Sequence, residues 1–138
     1  RAVLTSRARN REVCGMTIPA PGFRCELQRD HDLTAVVVDG ELEEISAVQL
    51  AAACLHAGDV AGHGRIAGDV VLDLGAVSFS DGTGIRMIET IHRAFERAGH
   101  RLTVVATSPR VLAEIDRLGL GPVLHIQPEM PVPAALSG

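Results

Sequence analysis

Three short runs of aliphatic and β-branched residues constrain the fold of this chain more than any other feature of its sequence. They lie at Val36-Val37-Val38, at Val70 to Leu74 and within RLTVVAT, residues 101–107. A strand that lacks polar alternation has no face for water, so each run predicts a strand covered on both sides. The β-branched residues also favour the strand over the helix. We expect Gly40 to end the first of these strands.

Segments with helical periodicity separate these strands. Ser46, with Gln49 three residues later, is typical of a capping box and predicts the start of a first helix. A second helix is expected after Gly84, with apolar residues on one side and charged residues opposite. Ser108 followed by Pro109 predicts the start of a third helix. Proline is suited to the first helical position, because the backbone N–H group that it lacks would have no partner within the helix there. The glycines expected to end these helices are Gly58, Gly99 and Gly119.

Strands that alternate with helices predict an α/β domain whose central sheet contains parallel pairs. With an edge strand at Phe23 to Gln28 and a last short strand at Val123 to Ile126, we expect a mixed sheet of about 4–5 strands covered by about 3–4 helices. A chain of 138 residues is the size of one domain. We place that domain at residues 19–127, between a leader (1–18) and a proline-rich tail (128–138).

The leader carries several arginines and no apolar run behind them, a pattern that does not match a secretory signal. Met16 is typical of a natural start. We therefore expect residues 1–15 to be poorly ordered, and whether they belong to the native protein stays open.

Composition narrows the classes of partner and compartment. A formal net charge of −4 supplies no basic field for nucleic acid or anionic lipid. Three Phe without Tyr or Trp are too few to stack along a single strand of nucleic acid. No run approaches the ~18 apolar residues of a membrane span, and three unpatterned cysteines indicate free thiols in a reducing compartment. We expect a cytoplasmic protein with no nucleic-acid partner and no membrane insertion, and leave its oligomeric state open.

The segment VSFSDGTGI, residues 77–85, joins the second strong strand to the second helix. Asp81 is a good helix N-cap, since its carboxylate can accept from the backbone N–H group of Thr83 or Gly84. Gly82 and Gly84 permit a tight turn and leave backbone amides open to approach. A helix N-terminus of this kind favours an anion or a phosphorylated hydroxyl. The turn is the candidate site; the alternative is that Asp81 and Thr83 are an ordinary cap and first-turn residue.

Other polar residues supply no reaction centre. Cys54, His56 and His63 form an incomplete zinc set without a fourth ligand at standard spacing. No second carboxylate stands at a fixed offset from Asp73 to make an acid–base pair. Neither a phosphate-binding glycine loop ending in Lys-Ser/Thr nor a Gly-x-Ser-x-Gly elbow occurs. The remaining histidines are scattered, and His92 is expected to be a half-buried packing residue. We expect no enzyme activity, catalytic residue, metal or cofactor.

The segment from Gly68 to Leu120 resembles the STAS domain of bacterial anti-sigma factor antagonists. The family pattern is a V-L-D-L strand, a short segment, Asp-Ser-Ser/Thr-Gly opening a helix, a Gly-x-x-Leu strand, and a final helix that ends near Gly-Leu. The matching positions here are Val71-Leu72-Asp73-Leu74, Asp81, Thr83, Gly84, Gly99, Leu102 and Gly119-Leu120. Upstream, Gly40-Glu41-Leu42-Glu43 is similar to the family's Gly-Glu-Leu-Asp. The resemblance covers roughly residues 23–126 and implies a STAS-like layered α/β fold.

This resemblance implies a role in the regulation of transcription and no catalysis. Family members dock on an anti-sigma factor, often a serine kinase of the histidine-kinase-like ATPase superfamily, and so release a sigma factor by partner switching. The kinase phosphorylates the first serine after the Asp, which breaks the complex. That position is Gly82 here, so the usual switch is absent or has moved to Thr83 or Ser80. The expected docking residues are Asp81, Gly82, Thr83 and Gly84, with Arg86 at the rim.

Two alternatives belong to other functional classes. STAS-like subunits also occur as small cytosolic components of lipid-handling ABC transporters, where a hydroxyl near this turn is used. A stand-alone STAS domain could also bind a nucleotide or another small ligand at the same helix N-terminus. The identity of the partner and of the sigma factor stays open in each case.

Overall fold

Strands and helices alternate along most of the chain. The structure, a computed structural model, describes residues 10–13, 22–30, 33–105 and 108–128. In chain order the elements are β1 (Asn10–Val13), β2 (Phe23–Asp30), β3 (Leu33–Leu42), α1 (Glu44–Gly58), β4 (Val70–Ser80), α2 (Gly82–Arg97), β5 (Leu102–Val105), α3 (Pro109–Arg117) and β6 (His125–Gln127).

Within these residues the strands form one six-stranded sheet, in which the spatial order follows the chain order from β1 to β6. The β1–β2 and β2–β3 pairs are antiparallel, whereas β3, β4, β5 and β6 are parallel and joined by helical crossovers. The predicted mixed α/β sheet with parallel pairs is confirmed. It has one strand more than the upper expectation because β1, inside the predicted leader, pairs with β2. The domain boundaries stay predictions, since residues 1–9, 14–21 and 129–138 lie outside the described residues.

The main core lies between the sheet and the helices. Leu72 of β4 and Ile88 and Phe95 of α2 are completely buried there. Successive residues of a strand point to opposite faces, and on the other face Val71 and Val105 belong to a second, smaller buried cluster. The run from Val70 to Leu74 and the strand Leu102–Val105 are therefore covered on both sides, as their composition predicts, whereas Val37 of the first run is only half-buried.

Helix α1 begins earlier than the sequence pattern indicates. Glu43 is the N-cap, with extended backbone (φ −143°), and Glu44 is the first helical residue. Ser46 lies inside the first turn, where its hydroxyl accepts a hydrogen bond from the N–H group of Glu43 at 2.8 Å and lies 3.0 Å from the carbonyl oxygen of Glu41. The prediction that Ser46 is the N-cap is wrong, because the serine satisfies the start of the helix from within.

Gly40 does not end its strand, contrary to the prediction. β3 continues through Gly40 to Leu42, and the register against β4 shifts on either side of this glycine. Its φ of +104° lies in a region that L side chains rarely adopt, and a Cβ there would stand 1.8 Å from the carbonyl oxygen of Gly22. The same carbonyl accepts a hydrogen bond from Glu41 at 2.9 Å. A glycine is needed at position 40, inside the strand, because the backbone of Gly22, just before β2, passes too close to leave room for a side chain.

The later helices end as predicted at their glycines. The last helical residues are Arg97 of α2 and Arg117 of α3. Past each end the backbone turns back: His100 donates to the carbonyl of Phe95 at 2.9 Å, and Leu120 donates to that of Ile115 at 3.0 Å. These bonds satisfy carbonyls that have no partner within the helix.

The glycine-containing loop between α1 and β4 is organised by one carboxylate. Asp59 accepts hydrogen bonds from the backbone N–H groups of His63 at 2.9 Å and Gly64 at 2.8 Å. The N–H group of Ala67 then donates to the carbonyl of Gly58 at 2.8 Å, which closes the loop onto the end of α1. Hydrogen bonds from Gly64 first, and then from His63, hold the pKa of Asp59 below its usual value.

Candidate functional site

The turn between β4 and α2 lies in the middle of the sheet. β4 lies between β3 and β5 and is parallel to both, so the turn lies at the carboxyl end of a central parallel strand. The N–H group of Asp81 donates to the carbonyl of Leu42, the last residue of β3, at 3.1 Å. This bond ties the turn to the neighbouring strand. In open α/β sheets, the carboxyl ends of parallel strands are where ligands usually bind.

Asp81 is the N-cap of α2, as predicted. Its backbone is extended (φ −91°, ψ 178°), and its Oδ1 accepts from the N–H group of Gly84 at 2.9 Å. The donor is Gly84, one of the two residues predicted from the sequence. Gly82 and Thr83 are the first helical residues, so their N–H groups have no carbonyl partner inside the helix.

The two glycines of the turn have different environments. Gly84 is buried, and a Cβ on it would lie 2.7 Å from the Leu42 side chain and 2.9 Å from both the Leu42 carbonyl oxygen and the Ser80 hydroxyl. Gly82 has open space instead: the nearest atoms to a Cβ there belong to Arg117 and Glu114, both at 3.8 Å. Gly84 therefore serves close packing of α2 on β3, and only Gly82 leaves the backbone open to approach.

The hydroxyl groups of the turn also differ in accessibility. Ser80 is 7% exposed, and its hydroxyl donates to the carbonyl of Asp81 at 3.2 Å. Thr83 is exposed at the first turn of α2. Of the two hydroxyl residues predicted as alternative phosphorylation sites, Thr83 therefore lies at the surface and Ser80 is buried.

A row of exposed polar residues continues from the turn along α2. We define the outer face of α2 by Thr83, Arg86, Thr90 and Arg93. Glu89 lies between the two arginines, 3.8 Å from Arg86 and 2.8 Å from Arg93. The Arg86 side chain, predicted to lie at the rim of the turn, is 62% exposed. The outer face therefore has a paired carboxylate at its centre and arginine side chains that are largely exposed to solvent.

An ion pair on α3 lies beside the turn, and its place there was not predicted from the sequence. Arg117 Nε donates to Glu114 Oε1 at 3.0 Å, and both side chains are the nearest neighbours of the Gly82 position. The hydrogen bond from Arg117 lowers the pKa of Glu114, and the carboxylate in turn raises the pKa of Arg117. Their spacing of three residues indicates a pair on one helix. Only the packing of α3 against the sheet brings that pair to the turn.

The three residues of the incomplete zinc set lie in different environments. Cys54 is buried, and burial followed by the neighbouring Cys25 raises the pKa of its thiol. His56 and His63 are exposed. His92 is 3% exposed, so the expectation of a half-buried packing residue is wrong. Within the described ranges no three His, Cys, Asp or Glu side chains are arranged around one ion position. In the same part of the chain, no helix has the length and apolar character needed to cross a bilayer.

These features define a small α/β domain with a firmly held strand–turn–helix corner at the centre of a mixed sheet. The family model of the STAS domain matches residues 24–131, most of the chain. The chain therefore belongs to the STAS domain family. No curated protein sequence matches it.

Solved structures of similar fold include anti-sigma factor antagonists and an anion transporter. An anti-sigma factor antagonist from Mycobacterium paratuberculosis is 20% identical, with a TM-score of 0.65 over 82% of this chain and 92% of that one. The anti-sigma factor antagonist SpoIIAA in its unphosphorylated form is 21% identical, with a TM-score of 0.60 over 76% of this chain and 89% of that one. The murine anion transporter Slc26a9 is 15% identical, with a TM-score of 0.61 over 94% of this chain but only 22% of that one. At these identities the likeness shows the fold.

Proposed function

We propose that this chain is a cytoplasmic regulatory module of bacterial transcription that binds an anti-sigma factor and performs no reaction. Docking uses the turn at residues 81–84 and the outer face of α2. The observation that supports this most directly is the exposed Thr83 on a turn held from behind by Asp81 and Gly84. Membership of the STAS family and the anti-sigma factor antagonists among the similar structures point the same way.

The rigidity of the turn favours binding. Three separate contacts hold the turn. The N–H group of Asp81 donates to the Leu42 carbonyl, the Asp81 carboxylate accepts from the N–H group of Gly84, and Gly84 packs on Leu42. A surface that is ordered before a partner arrives loses less conformational entropy on binding. The arginines of the outer face suit a partner surface with exposed carboxylates.

The phosphorylation switch of the family is proposed to be absent at its usual position. Gly82 has no hydroxyl to accept a phosphate. Ser80 is a poor substitute because its hydroxyl is buried and already donates to Asp81. Thr83 is the accessible hydroxyl, and a phosphate there would add about −1.5 to −2 charges in the middle of the docking surface. We propose that the protein binds its partner without this regulation.

Binding assays with candidate anti-sigma factors from the same genome test the docking surface. Thr83→Glu and Arg86→Glu should each weaken capture about tenfold or more, because each sets a new carboxylate against acidic groups of the partner. The matched control is Ala52→Glu, an added carboxylate on the exposed side of α1. Circular dichroism should show that all three variants remain folded. Equal affinity for the turn variants and the control would contradict the proposal.

Phosphorylation is tested separately. The protein is incubated with each candidate kinase and ATP, and the intact mass and its peptides are then measured. We expect no phosphate on the wild type, and phosphate on a Gly82→Ser variant if the bound partner is a kinase of the family type. Stoichiometric phosphate on Thr83, abolished in Thr83→Val, would show that the switch has moved by one residue.

A transport role is the second candidate. The observation that favours it is the murine transporter, whose matched region covers 94% of this chain. A STAS subunit of a transporter, such as a lipid-handling ABC system, would co-purify with a permease and not with an anti-sigma factor. Genes beside that of this chain separate the two, as permease and ATPase genes or as sigma and anti-sigma genes.

A small-ligand role at the same helix N-terminus is tested by titration with GTP and ATP. Movement of the backbone amide signals of residues 82–86 at saturable nucleotide concentrations would support it. Unchanged signals, together with capture of an anti-sigma factor, would leave the docking role.

A further inference from the structure

The outward face of α1 is apolar. Ile45 and Val48 are 66% and 65% exposed, Leu55 is 43% exposed, and Ala52 is exposed between them. From Ile45 to Leu55 the helix carries no charged residue, whereas the exposed sides of α2 and α3 carry several. A helix that is apolar all round is typical of one that is buried on all sides. This face therefore indicates a contact that the described part of the chain does not itself make.

The exposed apolar residues of α1 follow one line along the helix. We define the α1 seam by Ile45, Val48, Ala52 and Leu55, which are separated by three, four and three residues. An alternation of three and four residues is the spacing at which one helix packs lengthwise against another. The seam is thus shaped for a second helix, and a line of this kind differs from apolar residues scattered singly over a surface.

The α1 seam is complementary to itself when the second helix runs antiparallel. In the register that sets Ile45 of one copy against Leu55 of the other, Val48 also faces Ala52. A two-fold axis midway along the helix makes each of these contacts twice, so every residue of the seam has a partner. A surface that matches its own copy in this way is what a symmetric dimer requires.

The charges at the two ends of α1 favour the antiparallel arrangement. Glu43 and Glu44 are exposed at its amino end, and Arg65 is exposed beside its carboxyl end. The carboxylate of Asp59, at the same carboxyl end, already accepts two hydrogen bonds from N–H groups of the loop. An antiparallel pair brings each acidic end close to Arg65 of the other copy, whereas a parallel pair would bring the two acidic ends together. The dipoles of antiparallel helices also oppose each other favourably.

An open cavity of about 380 Å³ lies at the carboxyl end of the α1 seam. Leu55 and Ile66 supply apolar side chains to its lining, and Arg65 lines it as well. In the antiparallel register, Ile45 of the second copy reaches the level of Leu55 and can enter this cavity. An aliphatic side chain that fills a pocket is a common source of affinity in a small interface.

We propose that α1 is the interface of a symmetric homodimer, in which the α1 seams of two copies of this chain pack antiparallel. A pair of 15-residue helices is a small interface beside the ~800 Å² per partner of a standard one. The dimer is therefore weak, with a Kd on the order of 100 µM, and it dissociates on dilution. The turn at residues 81–84 and the outer face of α2 take no part in this contact.

Analytical ultracentrifugation of the full chain over about 10 µM to 1 mM tests the dimer. We expect the average mass to rise with concentration from that of one chain toward twice that value. Val48→Glu and Ala52→Glu each set two like charges near the two-fold axis, so each should weaken association about tenfold or more. The matched control is Leu112→Glu, which replaces an exposed apolar residue of α3 and should leave association unchanged. Circular dichroism should show that these variants, all at exposed positions, remain folded.

A mixing experiment tests the register. Val48→Glu and Ala52→Arg chains should each be monomeric alone and associate when they are mixed. In the mixed dimer the new carboxylate of one chain faces the new guanidinium of the other, while the remaining Val48 and Ala52 keep their ordinary contact. Association of neither the separate nor the mixed chains would contradict the antiparallel register.

Two results would overturn the homodimer: a wild-type chain that stays monomeric up to about 1 mM, or association that Val48→Glu weakens no more than Leu112→Glu does. In a monomeric wild type, association gained on deletion of residues 129–138 would assign the seam to the chain's own tail. Loss of anti-sigma factor capture in Val48→Glu would instead assign it to that partner. The docking proposal is tested separately, because Ala52→Glu should lose the dimer and keep capture of the anti-sigma factor.

Discussion

Alanine at the two glycines of the turn should have opposite effects on stability. At Gly84 a Cβ would stand 2.7 Å from the Leu42 side chain and 2.9 Å from the Leu42 carbonyl oxygen. That carbonyl accepts the N–H group of Asp81, so it cannot move away without breaking the tie between β3 and the turn. At Gly82 a Cβ would meet no atom closer than 3.8 Å.

The magnitudes follow from these contacts. Overpacking in a close-packed region costs about 1–3 kcal/mol, and alanine returns about 0.8 kcal/mol over glycine inside a helix. The contacts at Gly84 are shorter than 3.0 Å and one is to backbone, so the cost there should lie near the upper end, about 3 kcal/mol. After the helical gain is subtracted, Gly84→Ala should lower the free energy of unfolding by about 2 kcal/mol. Gly82→Ala meets only ordinary contacts, so it should raise stability by about 0.4–1 kcal/mol through the reduced entropy of the unfolded chain. The difference between the variants is about 3 kcal/mol, or roughly 10 °C in Tm for a domain of this size.

Urea denaturation followed by circular dichroism measures the free energies, and a thermal scan measures the Tm of each variant. Similar m-values would show that the comparison concerns the folded state. If the two variants melt within about 2 °C of each other, Gly84 does not pack as described. The reasoning that separates the roles of the two glycines would then be refuted.

Four further predictions follow from the described contacts. Gly40→Ala should abolish folding or cost more than about 3 kcal/mol by urea denaturation, because its φ is +104° and its Cβ would overlap Gly22. Asp81→Ala should cost about 1 kcal/mol by the same assay, through loss of the cap. The pKa of Asp59 is lowered in the folded chain from its usual value of 3.8, so its hydrogen bonds to the loop are fully present above pH 3.8 and are lost as the pH falls through the lower pKa. Amide chemical shifts of the loop can follow this transition, and Asp59→Asn should remove it. Burial raises the pKa of the Cys54 thiol, so Cys54 should react with a thiol reagent only on unfolding. Peptide mapping distinguishes it from the other cysteines, and fast labelling of Cys54 itself in the native chain would contradict its placement.

Part of the candidate site was predictable because it depends on near neighbours. The Asp81 carboxylate caps α2 by accepting a hydrogen bond from Gly84, three residues later. At the other end of α2, past Gly99, the N–H group of His100 donates to the carbonyl of Phe95, five residues earlier. Rules of this range apply to any chain with these residue types. The local rule failed at Ser46, because serine can satisfy a helix start from the N-cap or from inside the first turn. The sequence supports both arrangements, and the path of the chain leaving β3 selects one.

The order of strands and helices, the parallel character of the sheet and the position of the turn are thus properties of the sequence alone, because periodicity and capping act within a few residues. Only the tertiary structure decided which glycine is closed by packing, that an ion pair of α3 stands beside Gly82, and that His92, His100 and His125 share a cavity. These are contacts between residues far apart in the chain, set by how each crossover packs on the sheet. No local pattern encodes them, since their geometry exists only once the elements have packed together.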